Sequence, residues 1–140
     1  MKQEDKNLLL KDLCARLSYR VKCNVGDDKP YTLSRIEIDD KNGHLLDFIE
    51  MKNGLDMQVY LSEVKPYLFP LSSMTEEQKN DCPIGKTNLN IIKSNIGYGI
   101  IEIPWQLSYL FIDWCNKNHF DYCGLIPKDL AIDSTGLNIY

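Results

Sequence analysis

The spacing of apolar residues changes once near the start of the chain, and this change sets the fold class. Over residues 4–17 apolar side chains recur every three or four positions, as in an amphipathic helix: Leu9, Leu10, Leu13, Cys14 and Leu17. The charged residues between them are expected on the exposed side: Lys6, Lys11, Asp12 and Arg16. Over residues 21–25 apolar and polar residues alternate, as in a half-buried strand. The chain is therefore predicted to be α+β, with an N-terminal helix.

Turn residues divide the next segment into short strands. Turns are predicted at residues 26–30, 39–43 and 52–54, since each contains Gly beside Asn, Asp or Pro. The strands that follow them are expected at 31–38, 45–51 and 55–61. In the first of these the apolar phase slips near Ser34 and Arg35, which indicates a bulge. We expect a bent four-stranded antiparallel meander, in which the bulge and short hairpins would permit a small SH3-like barrel.

The second half contains two predicted helices and a proline-rich segment. Pro66 and Pro70 remove two backbone donors, so residues 62–73 are expected to form an edge or a strap across the sheet and not a central strand. Ser73 and Glu76 fit a capping box, which predicts a short helix at 74–81. Residues 86–99, rich in Asn and Gly, are predicted to be a loop that is free to move as a flap.

A C-terminal helix is predicted at 104–118, because Pro104 suits a first helical position. Its apolar residues should bury it over more than half its circumference: Leu107, Tyr109, Leu110, Phe111, Ile112, Trp114 and Cys115. This helix is the strongest candidate for the centre of the core. Gly124 after it is suited to a left-handed conformation.

Length and charge limit the classes of protein. The 140 residues, of which 44% are hydrophobic and 26% charged, suit a single globular domain covering residues 1–140. The net charge of -4 and the scattered Lys and Arg argue against duplex nucleic acid as a partner. No apolar run approaches the roughly 20 residues of a membrane helix, and the charged N-terminus does not resemble a signal peptide. The protein is therefore expected in the cytoplasm, with no membrane partner.

Two arrangements of Cys and His in the sequence bear on a zinc site and on a thiol nucleophile. Cys115, His119 and Cys123 follow at steps of four, with Cys82 as a conceivable fourth zinc ligand. A helix break expected near His119 and the absence of a Cys-x-x-Cys pair argue against zinc. Cys115 or Cys123 could act as a nucleophile with His119 or His44 and with a carboxylate such as Asp121 to orient the ring, but buried thiols are the commoner explanation. We predict no catalytic residue, no metal and no cofactor.

Aromatic residues near turns and element ends indicate a recognition surface instead: Tyr67, Phe69, Tyr98, Trp105 and Tyr122. The segments 66–73 and 119–126 are expected to form one face. The predicted ligand-binding residues are Lys65, Tyr67, Ser72, Ser73, His119, Asp121 and Tyr122. For a nucleotide-like ligand, Lys65, Ser72 and Ser73 would contact phosphate together with the first amides of the helix at 74.

Three stretches also carry a family resemblance. The stretches are residues 8–17 (LLLKDLCARL), residues 64–77 (VKPYLFPLSSMTEE) and, within 113–126, Asp113-Trp114, residues 118–122 (NHFDY) and residues 124–126 (GLI). They resemble a family of small uncharacterised proteins of phages, prophages and mobile elements of gut Bacteroidales. The resemblance implies a phage-encoded accessory or anti-defence protein that binds a host protein or sequesters a small nucleotide-like ligand. Two alternatives stay open: a small hydrolase using His119 and Asp121, and a structural, homo-oligomeric phage protein.

Overall fold

The protein is α+β, with an N-terminal helix and a mixed sheet. The computed structural model describes residues 1–27, 29–39, 44–50, 56–85 and 105–140. Within them lie the helices α1 (Gln3–Arg16), α2 (Glu76–Asp81) and α3 (Trp105–Lys117). The strands are β1 (Lys22–Asn24), β2 (Tyr31–Asp39), β3 (His44–Glu50), β4 (Asp56–Tyr60), β5 (Lys65–Pro70), β6 (Phe120–Asp121) and β7 (Ile132–Asp133). None of the helices in these ranges is long and apolar enough to cross a membrane.

The sheet follows the order β4-β3-β2-β1-β5-β6, and β7 also pairs with β5. β1 to β4 pair with their chain neighbours in antiparallel fashion, whereas β6 and β7 run parallel to β5. The register of β2 and β3 shifts between Leu33 and Arg35, which confirms the predicted bulge. The turn residues 40–43 and 52–54, the predicted loop 86–99 and Pro104 lie outside the described residues. Among the described pairings none joins β4 to β5 or β6, so a barrel stays a prediction.

β5 is an interior strand, and the expectation of an edge or strap was wrong. It pairs with β1 at its start and with β6 and β7 further along. The carbonyl of Leu68 accepts a 2.9 Å hydrogen bond from the amide of Ser134, next to β7. The backbone N–H and C=O groups of every second residue point to the same side of a strand. The backbone of Pro66 and Pro70 therefore faces β7, as that of Leu68 does. β7 pairs only with the two positions between the prolines, Tyr67 and Leu68, so neither proline removes a bond from this ladder.

α1 buries a charged pair along with its apolar face. Leu9 and Leu13 are fully buried as expected, whereas Cys14 is exposed. Asp12 and Arg16 were expected on the exposed side, and this was wrong, since they are 1% and 0% exposed. Arg16 is accommodated in the interior because its guanidinium pairs with Asp12 and donates to backbone carbonyls at the end of α3 and in β6.

α3 buries a narrower face than its apolar residues predict. Phe111 and Cys115 are buried, but Tyr109, Leu110 and Ile112 are 69%, 49% and 39% exposed. The expected burial over more than half the circumference is therefore wrong. The helix packs against α1 and β6, and Trp114 also contacts Asp81 at the end of α2. Its outer side, which carries Tyr109, Leu110 and Ile112, is exposed.

α2 begins two residues later than predicted because a different residue caps it. The Thr75 hydroxyl accepts from the amide of Gln78, and the Gln78 side chain accepts from the amide of Thr75. The capping box thus belongs to Thr75 and Gln78 and not to Ser73 and Glu76. The Ser73 hydroxyl instead donates to the carbonyl of Pro70 at 2.8 Å.

Candidate functional site

The sheet brings the end of β5 beside the segment that follows α3. In the parallel pairing Phe69 lies opposite Phe120 and Pro70 lies opposite Asp121. The Phe69 amide donates a 2.9 Å hydrogen bond to the carbonyl of His119. Parts of the two segments predicted to share a face, 66–73 and 119–126, are therefore neighbours.

A groove of about 250 Å³ lies where these segments meet. We call it the β5–turn groove, and its lining residues are Pro70, Leu71, Ser72, Asp121, Gly124, Ile126 and Pro127. Most of them are apolar, and Ser72 supplies an exposed hydroxyl. Small-molecule sites commonly measure roughly 300–1,000 Å³. The groove is thus better matched to one protruding side chain than to a whole nucleotide.

The far wall of the groove is a turn shaped by two left-handed residues and one carboxylate. α3 ends at Lys117, and His119 and Gly124 adopt φ values of +59° and +73°, which confirms the predicted helix break and the left-handed Gly124. The two carboxylate oxygens of Asp121 accept hydrogen bonds of 2.9 Å from the amides of Leu125 and Ile126. Asp121 is 4% exposed, so its carboxylate is almost closed to solvent and is used to hold the turn through these two hydrogen bonds.

Arg16 contacts this turn from the protein interior. Its guanidinium donates to the Phe120 carbonyl at 2.8 Å and lies 5.3 Å from the centre of the Tyr122 ring. Burial alone would lower the pKa of Arg16, but the adjacent Asp12 carboxylate raises it above its ordinary value. Burial also raises the pKa of Tyr122. This contact was not predicted from the sequence, although Asp12 and Arg16 are opposite charges four residues apart on a helix, a spacing that indicates an ion pair.

His119 is covered by an aromatic ring that the sequence analysis did not single out. Its imidazole stacks on Tyr140 with centroids 3.9 Å apart and planes 10° apart. Its Nδ1 atom is buried and has no hydrogen-bond partner in the described part of the chain. Burial, together with the positive charges of Arg16 and Lys22, lowers the pKa of His119 to about 4. The ring is therefore neutral at pH 7.

The described residues do not assemble the alternative hydrolase pair, the thiol nucleophile or the zinc ligands. No hydrogen bond joins His119 to Asp121, whose oxygens serve the turn. Burial raises the pKa of Cys115 and raises that of Cys123 to about 12, so both are thiols and not nucleophilic thiolates at neutral pH. In the described ranges no three His, Cys, Asp or Glu side chains are grouped to hold a metal ion. The side chain of His44 lies outside the described residues.

The residues expected to bind phosphate are not brought together either. Lys65 lies at the start of β5 in a 2.7 Å ion pair with Asp129. Ser72 follows the other end of that strand, Pro70, which lies roughly 17 Å from Lys65 along five steps of about 3.3 Å. Tyr67, between them, is 6% exposed, and its hydroxyl accepts from the side chain of Asn24. The first turn of α2 carries Glu76 and Glu77, which disfavour an anion there.

A second depression, of about 550 Å³, lies between α2 and α3. Its lining is polar and acidic: Glu77, Gln78, Asn80, Asp81, Trp114 and Asn118. Trp114 stacks on Phe120 with centroids 5.4 Å apart, and its indole nitrogen donates to Asp81 at 3.4 Å. The predicted packing role of Trp114 is thus confirmed, and the carboxylates around it disfavour a phosphate ligand.

Comparisons with known proteins identify no relative. The chain matches no family model, no curated protein and no solved structure. The resemblance to the Bacteroidales phage family stays a prediction.

Proposed function

We propose that the protein acts by binding a host protein, without catalysis, as a phage-encoded accessory or anti-defence factor. The contact site is the β5–turn groove. The observation that carries this proposal is the parallel pairing of Phe69 with Phe120 and of Pro70 with Asp121, which places the proline-rich segment 66–73 beside the aromatic segment 119–126. The phage origin rests on the sequence resemblance, and the cytoplasm of a bacterial host is part of the same proposal.

The walls of the groove are already ordered before any partner binds. Leu71 and Phe120 belong to one buried cluster with residues of α3 and the neighbourhood of α2: Met74, Cys82, Ile84, Phe111 and Cys115. Asp121 fixes the turn through two backbone amides. Binding to preformed walls avoids the entropic cost of ordering a loop, which favours recognition at this place.

The dimensions and charges favour a protein partner over a nucleotide-like ligand. The groove holds about 250 Å³ and is lined mainly by apolar side chains. Lys65, the cation expected to bind phosphate, lies at the opposite end of β5 and pairs with Asp129. A protein can insert one apolar side chain here and extend its contact over the surrounding surface.

The test is affinity capture from a Bacteroidales lysate with three matched baits: the unmodified protein, Ile126→Glu in the groove and Ile112→Glu on the exposed side of α3. Ile112 and Ile126 are the same residue type at different sites, so each variant is the control of the other. We expect one host protein, identified by mass spectrometry, to be captured by the unmodified protein and by Ile112→Glu but lost with Ile126→Glu. Capture by all three baits, or by none, would overturn the proposal.

A structural homo-oligomer is the second candidate, favoured by the outer side of α3. Tyr109, Leu110 and Ile112 expose apolar surface within a single turn of one helix. Such surface often marks a self-association site. Light scattering after size-exclusion chromatography would then show an oligomer that Ile112→Glu converts to monomers and Ile126→Glu leaves intact. A monomer at every concentration would remove this candidate.

Two further proposals concern closure of the sheet into a barrel and a hydrolase activity. Closure of the sheet into a small SH3-like barrel is supported by the bulge at Leu33 and Arg35, since bulges bend strands. A hydrolase using His119 and Asp121 draws no support from the geometry, because Asp121 binds the backbone of its own turn. Hydrolysis that survives in Asp121→Asn would confirm that this pair is not the catalyst.

A further inference from the structure

A side-chain hydroxyl replaces one rung of the sheet between β1 and β5. The two strands pair at Asn24 with Lys65 and at Cys23 with Pro66. A regular antiparallel ladder would next join Lys22 directly to Tyr67. Instead the Tyr140 hydroxyl lies between them, accepting from the Lys22 amide at 3.1 Å and donating to the Tyr67 carbonyl at 2.8 Å. A phenol thus sits at the place where β1 and β5 part.

The surroundings of the Tyr140 ring complete a site for a phenol. His119 stacks on one face of the ring at 3.9 Å, and Phe69 lies 5.9 Å away at a tilt of 49°. We call the set of the His119 ring, the Phe69 ring, the Lys22 amide and the Tyr67 carbonyl the phenol slot. It offers a flat aromatic face, one donor and one acceptor, which are the groups that a phenol uses.

Tyr140 follows an exposed segment of the chain. Residues 135–138 are exposed, and Tyr140 itself is 43% exposed. Tyr140 belongs to neither of the two buried apolar clusters. Its departure would therefore leave both clusters packed, while the slot would lose its occupant.

We propose that the phenol slot is a binding site for a tyrosine side chain and that Tyr140 is its displaceable occupant from the same chain. A tyrosine on a bound partner is the natural competitor, a detail that rests on the proposed function. The slot and the β5–turn groove draw on the same pair of strands: Phe69 of the slot precedes Pro70 of the groove in β5, and its amide donates to the His119 carbonyl just before β6.

The test uses p-cresol, which has the ring and hydroxyl of tyrosine, with toluene as the control that lacks the hydroxyl. Binding is measured by calorimetry and by NMR shifts of the His119 ring in the unmodified protein, Tyr140→Ala and Tyr140→Phe. Because a tethered side chain competes at an effective concentration on the order of millimolar, the unmodified protein should bind p-cresol at least about tenfold more weakly than Tyr140→Ala. Tyr140→Phe should bind p-cresol with an affinity between those of the other two proteins, since its ring still fills the slot but lacks the hydroxyl that bonds to the Lys22 amide and the Tyr67 carbonyl.

The proposal holds if Tyr140→Ala binds p-cresol more tightly than toluene and the His119 resonances shift. It is overturned if folded Tyr140→Ala binds neither compound, or binds both equally well. It is also overturned if Tyr140→Ala does not fold, because a displaceable occupant must be dispensable. The double variant Tyr140→Ala with Ile126→Glu should still bind p-cresol, so the slot can succeed or fail independently of host-protein capture.

Discussion

The guanidinium of Arg16 donates a 2.8 Å hydrogen bond to the carbonyl of Phe120, although 104 positions separate the two residues. Arg16 is fully buried, and Asp12 neutralises it through two hydrogen bonds of 2.8 and 3.0 Å. Phe120 begins β6, which continues into the turn that lines the β5–turn groove. A helix near the start of the chain therefore fixes the position of the candidate site.

Breaking the buried pair should be costly. In Arg16→Met the Asp12 carboxylate stays buried without its counter-ion, so we expect a loss of about 3–5 kcal/mol in the free energy of unfolding. Asp12→Leu combined with Arg16→Met should lose less than Arg16→Met alone. Urea unfolding measures both, with Lys65→Ala as the control, since its exposed pair with Asp129 contributes at most about 1 kcal/mol. Equal losses for Arg16→Met and Lys65→Ala would refute this role.

Asp121→Asn should weaken the turn and leave the rest of the fold intact. The amide side chain keeps one acceptor for the two backbone donors at Leu125 and Ile126, so we expect a loss of about 1–3 kcal/mol. Amide hydrogen exchange should accelerate most at Leu125 and Ile126. Unchanged exchange at these two amides would mean that the carboxylate does not hold the turn.

Stability should fall on mild acidification through His119. Its pKa is about 4 in the folded protein and roughly 6.5 when unfolded. Between these values the unfolded chain binds more protons, so this contribution is fully present above about pH 7 and is lost as the pH falls from about 6.5 to 4. We expect this contribution of His119 to the free energy of unfolding to be on the order of 1–2 kcal/mol, because solvent screens the half-buried ring.

His119→Asn is the matched variant for this measurement, because Asn does not titrate and tolerates the left-handed backbone at this position. Urea unfolding at pH 7 and pH 5 should show a larger loss for the unmodified protein than for His119→Asn. The same pH dependence in both proteins would show that His119 is not the group responsible.

The thiols should differ sharply in reactivity. Cys14 is exposed, whereas burial raises the pKa of Cys115 and, to about 12, that of Cys123. At pH 7.5 iodoacetamide should modify Cys14 first, and Cys115 and Cys123 only after unfolding. Peptide mass spectrometry follows the three sites in one reaction. Alkylation of Cys123 as fast as that of Cys14 would reopen the thiol-nucleophile hypothesis.

Local features of the fold were predictable because they depend on near neighbours. The three-to-four-residue spacing predicted α1 within one residue at each end, and the phase slip near Ser34 predicted the bulge. The left-handed Gly124 and the helix break near His119 were likewise visible in the sequence. Each of these depends on backbone preference or on apolar spacing within about ten residues.

Long-range partners were not predictable from the same patterns. β5 was expected at an edge because of its prolines, but β6 and β7, two residues each and far along the chain, pair with it. Arg16 was expected at the surface because it is charged. The carbonyl acceptors that allow its burial lie about 100 positions away along the chain, so no local pattern indicates them. Tyr140 carried no sequence signal, since its role follows only from the gap between β1 and β5.

Native mass spectrometry of the protein, purified gently after expression in a Bacteroidales host, tests the central claim most directly. We predict a complex with a second, different polypeptide, which dissociates in the Ile126→Glu variant. A nucleotide-sized adduct retained by a single chain would contradict recognition of a host protein through the β5–turn groove.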